Sequence, residues 1–192
     1  MYQRGFKTWC ENTSLSFRKT LGFKKDDPLS PYVLAKHLNV PLLSPSDIVG
    51  LSQNSINLLL GSSDSFWSAV TIYSNNSELI IYNPKHSDGR QSNTLMHELS
   101  HIIIGHSPSQ SIHSIETGIM LRNYNKDHED EADWLAGALL LPRNALINIK
   151  WSGASTADAC GKYTVSAKLL NWRLDKAGVN KMYYRANKKY SR

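Results

Sequence analysis

The stretch that most constrains this chain is residues 94–105, which read TLMHELSHIIIG. Apolar residues recur in it at helical spacing, and Gly105 followed by Pro108 predicts that a helix ends there. His97 and His101 are four residues apart and therefore project from the same face of that helix. Two imidazoles placed in this way can bind one Zn²⁺ ion together.

Glu98 lies between these histidines, about 100° around the helix from His97. This position places its carboxylate beside a metal held by the histidines, where a general base for water attack is needed. Chance matches to His-Glu-x-x-His have no reason to lie on an apolar helix with a defined end. The pattern therefore favours a zinc site with Glu98 as the base.

Such a site needs a third protein ligand from another segment, with water completing the coordination. A second predicted helix, residues 128–142, has acids at its start and small residues on the same face, which would let it approach the first helix closely. We expect Glu129 to reach the metal and Asp133, one turn later, to accept a hydrogen bond from a ligand histidine. Glu131 lies about 200° around the helix from Glu129. It is expected to face solvent, and it stays the competing ligand.

The remaining histidines near the motif are not expected to be ligands. A third histidine ligand ten residues after the first would indicate a metzincin, but Ser107 occupies that position. His106, His113 and His128 are therefore interpreted as loop or surface residues.

The composition indicates a globular protein with one sizeable core, since 41% of the 192 residues are hydrophobic and 20% are charged. Residues 1–20 lack an apolar run of signal-peptide length, and no stretch approaches the length of a membrane span. Cys10 and Cys160 are far apart, which favours a reduced, cytoplasmic setting. The net charge is +6. Part of it is concentrated in a basic tail, for which a solvated role is as plausible as a binding role: Lys181, Arg185, Lys188, Lys189 and Arg192.

The order of elements predicts an α+β fold: a mostly helical, zincin-like metallopeptidase domain with a small antiparallel sheet. Residues 68–73 and 78–82 are β-prone and predict a hairpin just before the metal helix. Residues 40–43 predict a short strand, and the proline within them places it at an edge of the sheet. Residues 107–126 have little periodicity and are interpreted as a polar loop that could act as a lid.

Two short helices are predicted near the end of the chain, at residues 156–162 and 167–177. They are joined by YTVS and resemble a helix-turn-helix. The second is expected to expose residue types with which DNA readers contact phosphates or base edges: Lys168, Asn171 and Arg173. Because helical hairpins are common packing motifs, direct DNA binding is not favoured. We expect residues 1–150 to form the peptidase domain and residues 151–192 a helix-turn-helix-like segment, which could also pack as part of one domain.

Taken together, these segments resemble the ImmA/IrrE family of zinc metallopeptidases. The resemblance rests on HELSH at residues 97–101, on EDEADWLAGALLLP at 129–142, and on YTVS at 163–166 followed by WRL at 172–174. The family typically shows E-x-E-A-N-x-F-A-A-x-L-L-M-P in the second segment and glycine where Ser100 stands. This chain departs from it at four positions of that segment: Asp133, Leu135, Gly137 and Leu141.

The resemblance implies a zinc endopeptidase that cleaves helix-turn-helix transcriptional repressors in phage, mobile-element or stress-response switches. By matching positions, His97, His101 and Glu129 would bind zinc and Glu98 would be the catalytic base. Manganese or iron could also occupy such a site, because metal availability matters as much as ligand type.

Two further points stay open from the sequence. The side chain that stabilises the oxyanion is not fixed, and Tyr73, Tyr124 and His113 are its candidates. The alternative function is a regulatory module that binds DNA or a repressor, or a toxin–antitoxin partner, with a structural or vestigial zinc site.

Overall fold

The fold is seen in a computed structural model that describes residues 2–61, 67–74, 77–106, 111–113, 120–122 and 125–190. The side chains of residues 74, 111–113, 120–122, 189 and 190 lie outside this description.

Helices dominate the described residues, with a few short strands between them, which confirms the predicted α+β class. The helices are α1 Phe6–Thr20, α2 Pro31–Leu38, α3 Gln53–Leu60, α4 Asp88–Ile104, α5 Lys126–Leu140, α6 Arg143–Ser152, α7 Thr156–Tyr163, α8 Ala167–Lys176 and α9 Val179–Tyr190. The strands are β1 Leu42–Leu43, β2 Ala69–Ser74, β3 Ser77–Tyr82, β4 Ser111–His113 and β5 Met120–Arg122.

The sheet that contains the predicted hairpin has the strand order β1-β3-β2. Strands β2 and β3 pair antiparallel as predicted, but β1 pairs parallel with β3, so the sheet is mixed rather than antiparallel. The chain leaves β1 through α3 before it enters the hairpin, and only such a long crossover connection permits parallel pairing. Among the described strands, β1 lies at an edge of this sheet, as predicted from Pro41, which directly precedes it.

A second, two-stranded antiparallel sheet is formed by β4 and β5. Both strands lie within residues 107–126, so the prediction of a loop without secondary structure was wrong there. Residues 107–110, 114–119, 123 and 124 of that segment, Tyr124 among them, lie outside the described residues.

The core is organised around α4 and α5, which contact each other more extensively than any other pair of helices. Leu95 and Leu99 of α4 are fully buried, as are Leu135 and Leu139 of α5. The small side chains of Ala132 and Ala136 are buried as well. The apolar and small faces read from the sequence therefore meet in this helix pair.

Two arginines are buried at the C-terminal end of α5. Arg18 of α1 donates to the carbonyl oxygen of Leu139 at 2.8 Å and also to the Ser14 hydroxyl and the Asp27 carbonyl. Burial lowers the pKa of Arg18 to about 10, so it stays protonated near neutral pH. The donors to Leu139 and Asp27 thus replace water at carbonyls that the fold removes from solvent.

Arg173 of α8 is 0% exposed, so the expectation that it faces solvent was wrong, whereas Lys168 and Asn171 are exposed. Its guanidinium donates to the Leu141 carbonyl and to Glu11 Oε1, the latter at 2.6 Å. Arg173 therefore ties α8 to α1 and to the end of α5.

Gly137 explains how α8 comes so close to α5. A Cβ at this position would lie 2.7 Å from Arg173 Cδ and 2.8 Å from Trp172 Cζ3. The glycine therefore makes room for two side chains of α8.

The division of the chain after residue 150 stays a prediction.

The basic tail continues as helix α9 up to Tyr190, and Arg192 lies outside the described residues. Cys10 and Cys160 are both free thiols. Among the described residues, none of the helices combines the length and apolar character needed to cross a bilayer.

Candidate metal centre

His97, His101 and Glu129 converge at the contact between α4 and α5. The Nε2 atoms of the two histidines are 3.1 Å apart. The Glu129 carboxylate approaches His97 Nε2 at 3.2 Å through Oε2 and His101 Nε2 at 3.6 Å through Oε1. Three nitrogen and oxygen donors from two helices therefore face one point.

The spacing of these donors fits a tetrahedral metal ion. Ligand atoms about 2.0–2.1 Å from a tetrahedral zinc ion lie roughly 3.3–3.4 Å from one another. The two histidine Nε2 atoms, 3.1 Å apart, and the contact of 3.2 Å between His97 Nε2 and Glu129 Oε2 are close to that value, and one ligand atom from each of the three residues lies within 4.8 Å of the other two. Two imidazole nitrogens and one carboxylate are also a ligand set that zinc accepts while keeping a position for water. The residues present therefore fit the ion that the sequence predicted.

Asp133 holds His97 from the far side of its ring. His97 Nδ1 donates to Asp133 Oδ1 at 2.9 Å, which leaves the lone pair of Nε2 directed at the other ligand atoms. Burial lowers the pKa of His97, but the hydrogen bond and charge of Asp133, with the charges of Glu98 and Glu129, outweigh it and raise the pKa above its usual value.

His101 has the opposite electrostatic setting. Burial lowers its pKa to about 3, and the neighbouring rings of His97, His106 and His128 act in the same direction. His101 is therefore neutral over the physiological pH range. A neutral imidazole is the form that ligates a metal.

His106 is buried rather than on the surface, and Glu131 is half-buried rather than facing solvent. Gly105 ends α4 in the left-handed conformation, at φ 80°, and turns the chain back so that the His106 amide donates to the His101 carbonyl. The Nδ1 atoms of His106 and His101 are 2.9 Å apart, and His106 Nε2 lies 3.1 Å from Glu131 Oε2. His106 thus lies in a loop as expected, but the chain reversal at Gly105 buries it and brings it onto Glu131, which is therefore less exposed than expected. A helical projection from the sequence cannot follow the chain beyond the glycine.

Glu98 is held by strand β2. The Thr71 hydroxyl donates to Glu98 Oε2 at 2.5 Å. Because side chains alternate along a strand, Tyr73 lies on the same face of β2 as Thr71. Burial raises the pKa of Tyr73, and the charges of Glu98 and Glu78 raise it further, so its hydroxyl stays a hydrogen-bond donor.

Of the three candidates for stabilising an oxyanion, Tyr73 is therefore placed near Glu98. Tyr124 and the side chain of His113 lie outside the described residues. Among the described strands, β2 is an edge of its sheet, so its outer backbone groups face away from β3. Sequence reasoning missed Thr71, since nothing local to β2 indicates which residue faces the metal helix.

Residues 54–175, more than half of the chain, match the family model of the M78 peptidases, described as the IrrE N-terminal-like domain. The chain belongs to this family. Membership confirms the ImmA/IrrE resemblance and supports a metallopeptidase-type domain. The family's usual glycine is replaced by Ser100, whose buried hydroxyl donates to the Met96 carbonyl at 2.7 Å and thus leaves no polar atom unpaired.

A solved structure of a Mycobacterium tuberculosis transcriptional regulator is similar with a TM-score of 0.46 and 10% sequence identity. The alignment covers 90% of this chain and 47% of that one, so this chain spans about half the length of the regulator. No curated protein matches the sequence.

Proposed function

We propose that this chain is a zinc-dependent endopeptidase. The observation that carries the proposal is the convergence of His97, His101 and Glu129, with Glu98 held beside them by an edge strand. A zinc ion held there would lower the pKa of water toward about 7 and would polarise a carbonyl group. His97, His101 and Glu129 would hold the ion, and its fourth position would stay open to water and substrate.

Glu98 is the general base in this proposal. Its carboxylate accepts the proton of the water that attacks the scissile carbonyl carbon and then passes this proton to the leaving amine. The Thr71 hydroxyl donates a hydrogen bond to one oxygen of the Glu98 carboxylate, and this bond fixes the direction in which the other oxygen points. This role explains why the base has a hydroxyl partner in the sheet.

Tyr73 is the group that we assign to the carbonyl oxygen. It shares a strand face with Thr71, and its raised pKa keeps it protonated. A neutral hydroxyl donor directed at the developing oxyanion stabilises the transition state more than the substrate.

Strand β2 also supplies a means of aligning the substrate. An extended peptide can add to a free strand edge by main-chain hydrogen bonds, and this edge lies next to Glu98. The family resemblance suggests that the peptide belongs to a helix-turn-helix transcriptional repressor.

A DNA-binding role stays the alternative, but one contact weighs against it. The backbone of Val165 and Ser166, at the start of α8, packs on Gly89 of α4, where a Cβ would lie 3.4 Å from the Val165 carbonyl carbon. A helix-turn-helix reader inserts that end of its second helix into the major groove. Here this end contacts the metal helix instead.

The metal is tested by elemental analysis of the purified wild type and of Glu129→Ala and Glu131→Ala side by side. We expect about one zinc per chain in the wild type and in Glu131→Ala at saturating zinc, and loss in Glu129→Ala. Loss in Glu131→Ala alone would move the third ligand by two residues. No metal in the wild type after zinc is supplied would reject the peptidase proposal.

The reaction is tested with a purified helix-turn-helix repressor as the substrate, by mass spectrometry of the products. Glu98→Gln should retain zinc and lose cleavage, because the amide cannot accept the proton. Tyr73→Phe should reduce kcat by about 10²–10³-fold with little effect on zinc content. Cleavage by Glu98→Gln at the wild-type rate would show that the mechanism is wrong.

A further inference from the structure

We propose that Glu131 and His106 form a positioning relay that fixes the ring of His101 for metal binding. Neither residue is a ligand in the proposed site, and both act through His101. The inference rests on the proposed metal centre.

The relay is a continuous line of hydrogen bonds that starts at a carboxylate. An ionised carboxylate can only accept, so the 3.1 Å contact between Glu131 Oε2 and His106 Nε2 requires the proton on His106 Nε2. The neutral His106 ring then carries a lone pair on Nδ1. This lone pair accepts the Nδ1 proton of His101 across 2.9 Å.

The consequence for His101 is a defined tautomer. With its proton on Nδ1, its lone pair is on Nε2, the atom that faces His97 Nε2 and Glu129. The same tautomer is imposed on His97 directly by Asp133. Glu129, Glu131 and Asp133 are spaced two residues apart on α5, so one helix supplies a ligand and the anchors of both histidines.

The position of His106 is itself fixed by the fold. Its side chain is 6% exposed, and its ring stacks on the ring of His128. The two ring centroids are 4.2 Å apart, with an interplanar angle of 4°. The chain reversal at Gly105 holds its backbone against the last turn of α4. Burial and stacking leave the ring little freedom to leave the line between Glu131 and His101.

The relay is tested by measuring zinc affinity by chelator competition at one pH. We expect His106→Ala and Glu131→Ala each to bind zinc about 10–100-fold more weakly than the wild type. His106→Gln should bind within about fivefold of the wild type, because its amide offers an acceptor for His101 and a donor for Glu131. Glu131→Ala leaves the His106 ring in place and serves if His106→Ala fails to fold.

His128→Ala is the matched control. This substitution removes an imidazole that contacts the His106 ring by stacking. The zinc affinity of the variant should therefore stay within about threefold of the wild type. Wild-type affinity in His106→Ala would overturn the relay. So would an equal loss in His106→Ala and His128→Ala, or in His106→Ala and His106→Gln, since either pattern would show that only packing matters.

Ring ¹⁵N–¹H NMR of the metal-free wild type separates the relay from the proposed function. The relay requires a proton on Nδ1 of His101 and on Nε2 of His106 before any metal binds. If these tautomers are present but zinc does not bind, the peptidase proposal fails and the relay stands. If zinc binds but His106 carries its proton on Nδ1, the relay is wrong and the metal centre stands.

Discussion

The two ends of helix α5 differ in almost every physical respect. Apart from the buried Ala132, its first two turns, from Lys126 to Asp133, are polar and partly exposed, and they carry the acids of the candidate metal centre. Its last two turns, from Trp134 to Leu140, are buried throughout, and two buried arginines bind the carbonyls at that end.

The helix dipole favours this arrangement, since anions are stabilised near the N-terminus and cations near the C-terminus. The comparison teaches that one helix separates function from stability along its length. Substitutions in the second half should lower the stability of the fold and leave the metal site of the folded protein unchanged. Substitutions of the polar residues in the first half should alter the site without unfolding the protein.

The largest effect on stability is expected at Arg18. Arg18→Ala removes the donors of three carbonyl or hydroxyl groups and leaves a cavity, so it should lower the free energy of unfolding by about 3–5 kcal/mol. Denaturant unfolding measures this loss. The exposed neighbour Lys19 is the control, and Lys19→Ala should change stability by less than about 0.5 kcal/mol. If Arg18→Ala lost zinc while still folded, the separation of the two halves would be refuted.

A smaller loss is expected at Gly137. Gly137→Ala should destabilise the protein by about 1–3 kcal/mol, because the added methyl group meets Arg173 and Trp172 and overpacking outweighs better helix propensity. Gly161→Ala in α7 is the matched change, since no atom lies within 4 Å of its added Cβ, and it should stabilise by up to about 1 kcal/mol. Thermal unfolding compares the two. Equal effects of the two changes would mean that close packing of α8 does not depend on Gly137.

In the first half of α5, Asp133→Ala should weaken zinc binding by about 10–100-fold, because His97 loses the anchor of its ring. Its side chain is 62% exposed, so the metal-free protein should unfold at nearly the wild-type denaturant concentration. Asp130→Ala removes an acid of the same helix that pairs with Lys126, and it should leave zinc affinity unchanged. An equal loss in both variants would indicate that net charge, not positioning, sets the affinity.

The smallest effect is expected at the start of α5, where the Asn125 side chain accepts from the amides of Asp127 and His128. Asn125→Ala should lower the stability of the helix by about 1 kcal/mol, and this effect should be confined to the first half of the helix. Hydrogen exchange should quicken in residues 126–133 and not in residues 134–140. Ser155→Ala, which removes the cap of α7, should leave both halves of α5 unchanged. Faster exchange along the whole of α5 would show that its two halves open together.

Periodicity accounts for the parts of the fold and site that were predictable. Four-residue spacing on a helix brings His97 and His101 to one face, and it does the same for Glu129 and Asp133. A helix end was predictable where the signal is local, as at Gly105, which ends α4. These features depend on residues within a turn of each other, so the sequence contains all the information that is needed.

Other features depend on contacts between distant segments, and no pattern in the sequence indicated them. The parallel pairing of β1, the β4–β5 hairpin and the burial of Arg173 are of this kind. A charged residue is normally exposed, and the carbonyl of Leu141 and the carboxylate of Glu11, both remote in sequence, offset part of the cost of burying Arg173.

The sequence by itself determined which side chains share a helix face, because the helical repeat is a property of the backbone. Only the tertiary structure decided what those faces meet: the acid of α5 that approaches the two histidines, the threonine that holds Glu98, and the return of His106 to His101 past Gly105. The physical reason is that helix packing and chain reversal set distances between segments remote in sequence, and a one-dimensional repeat does not contain these distances.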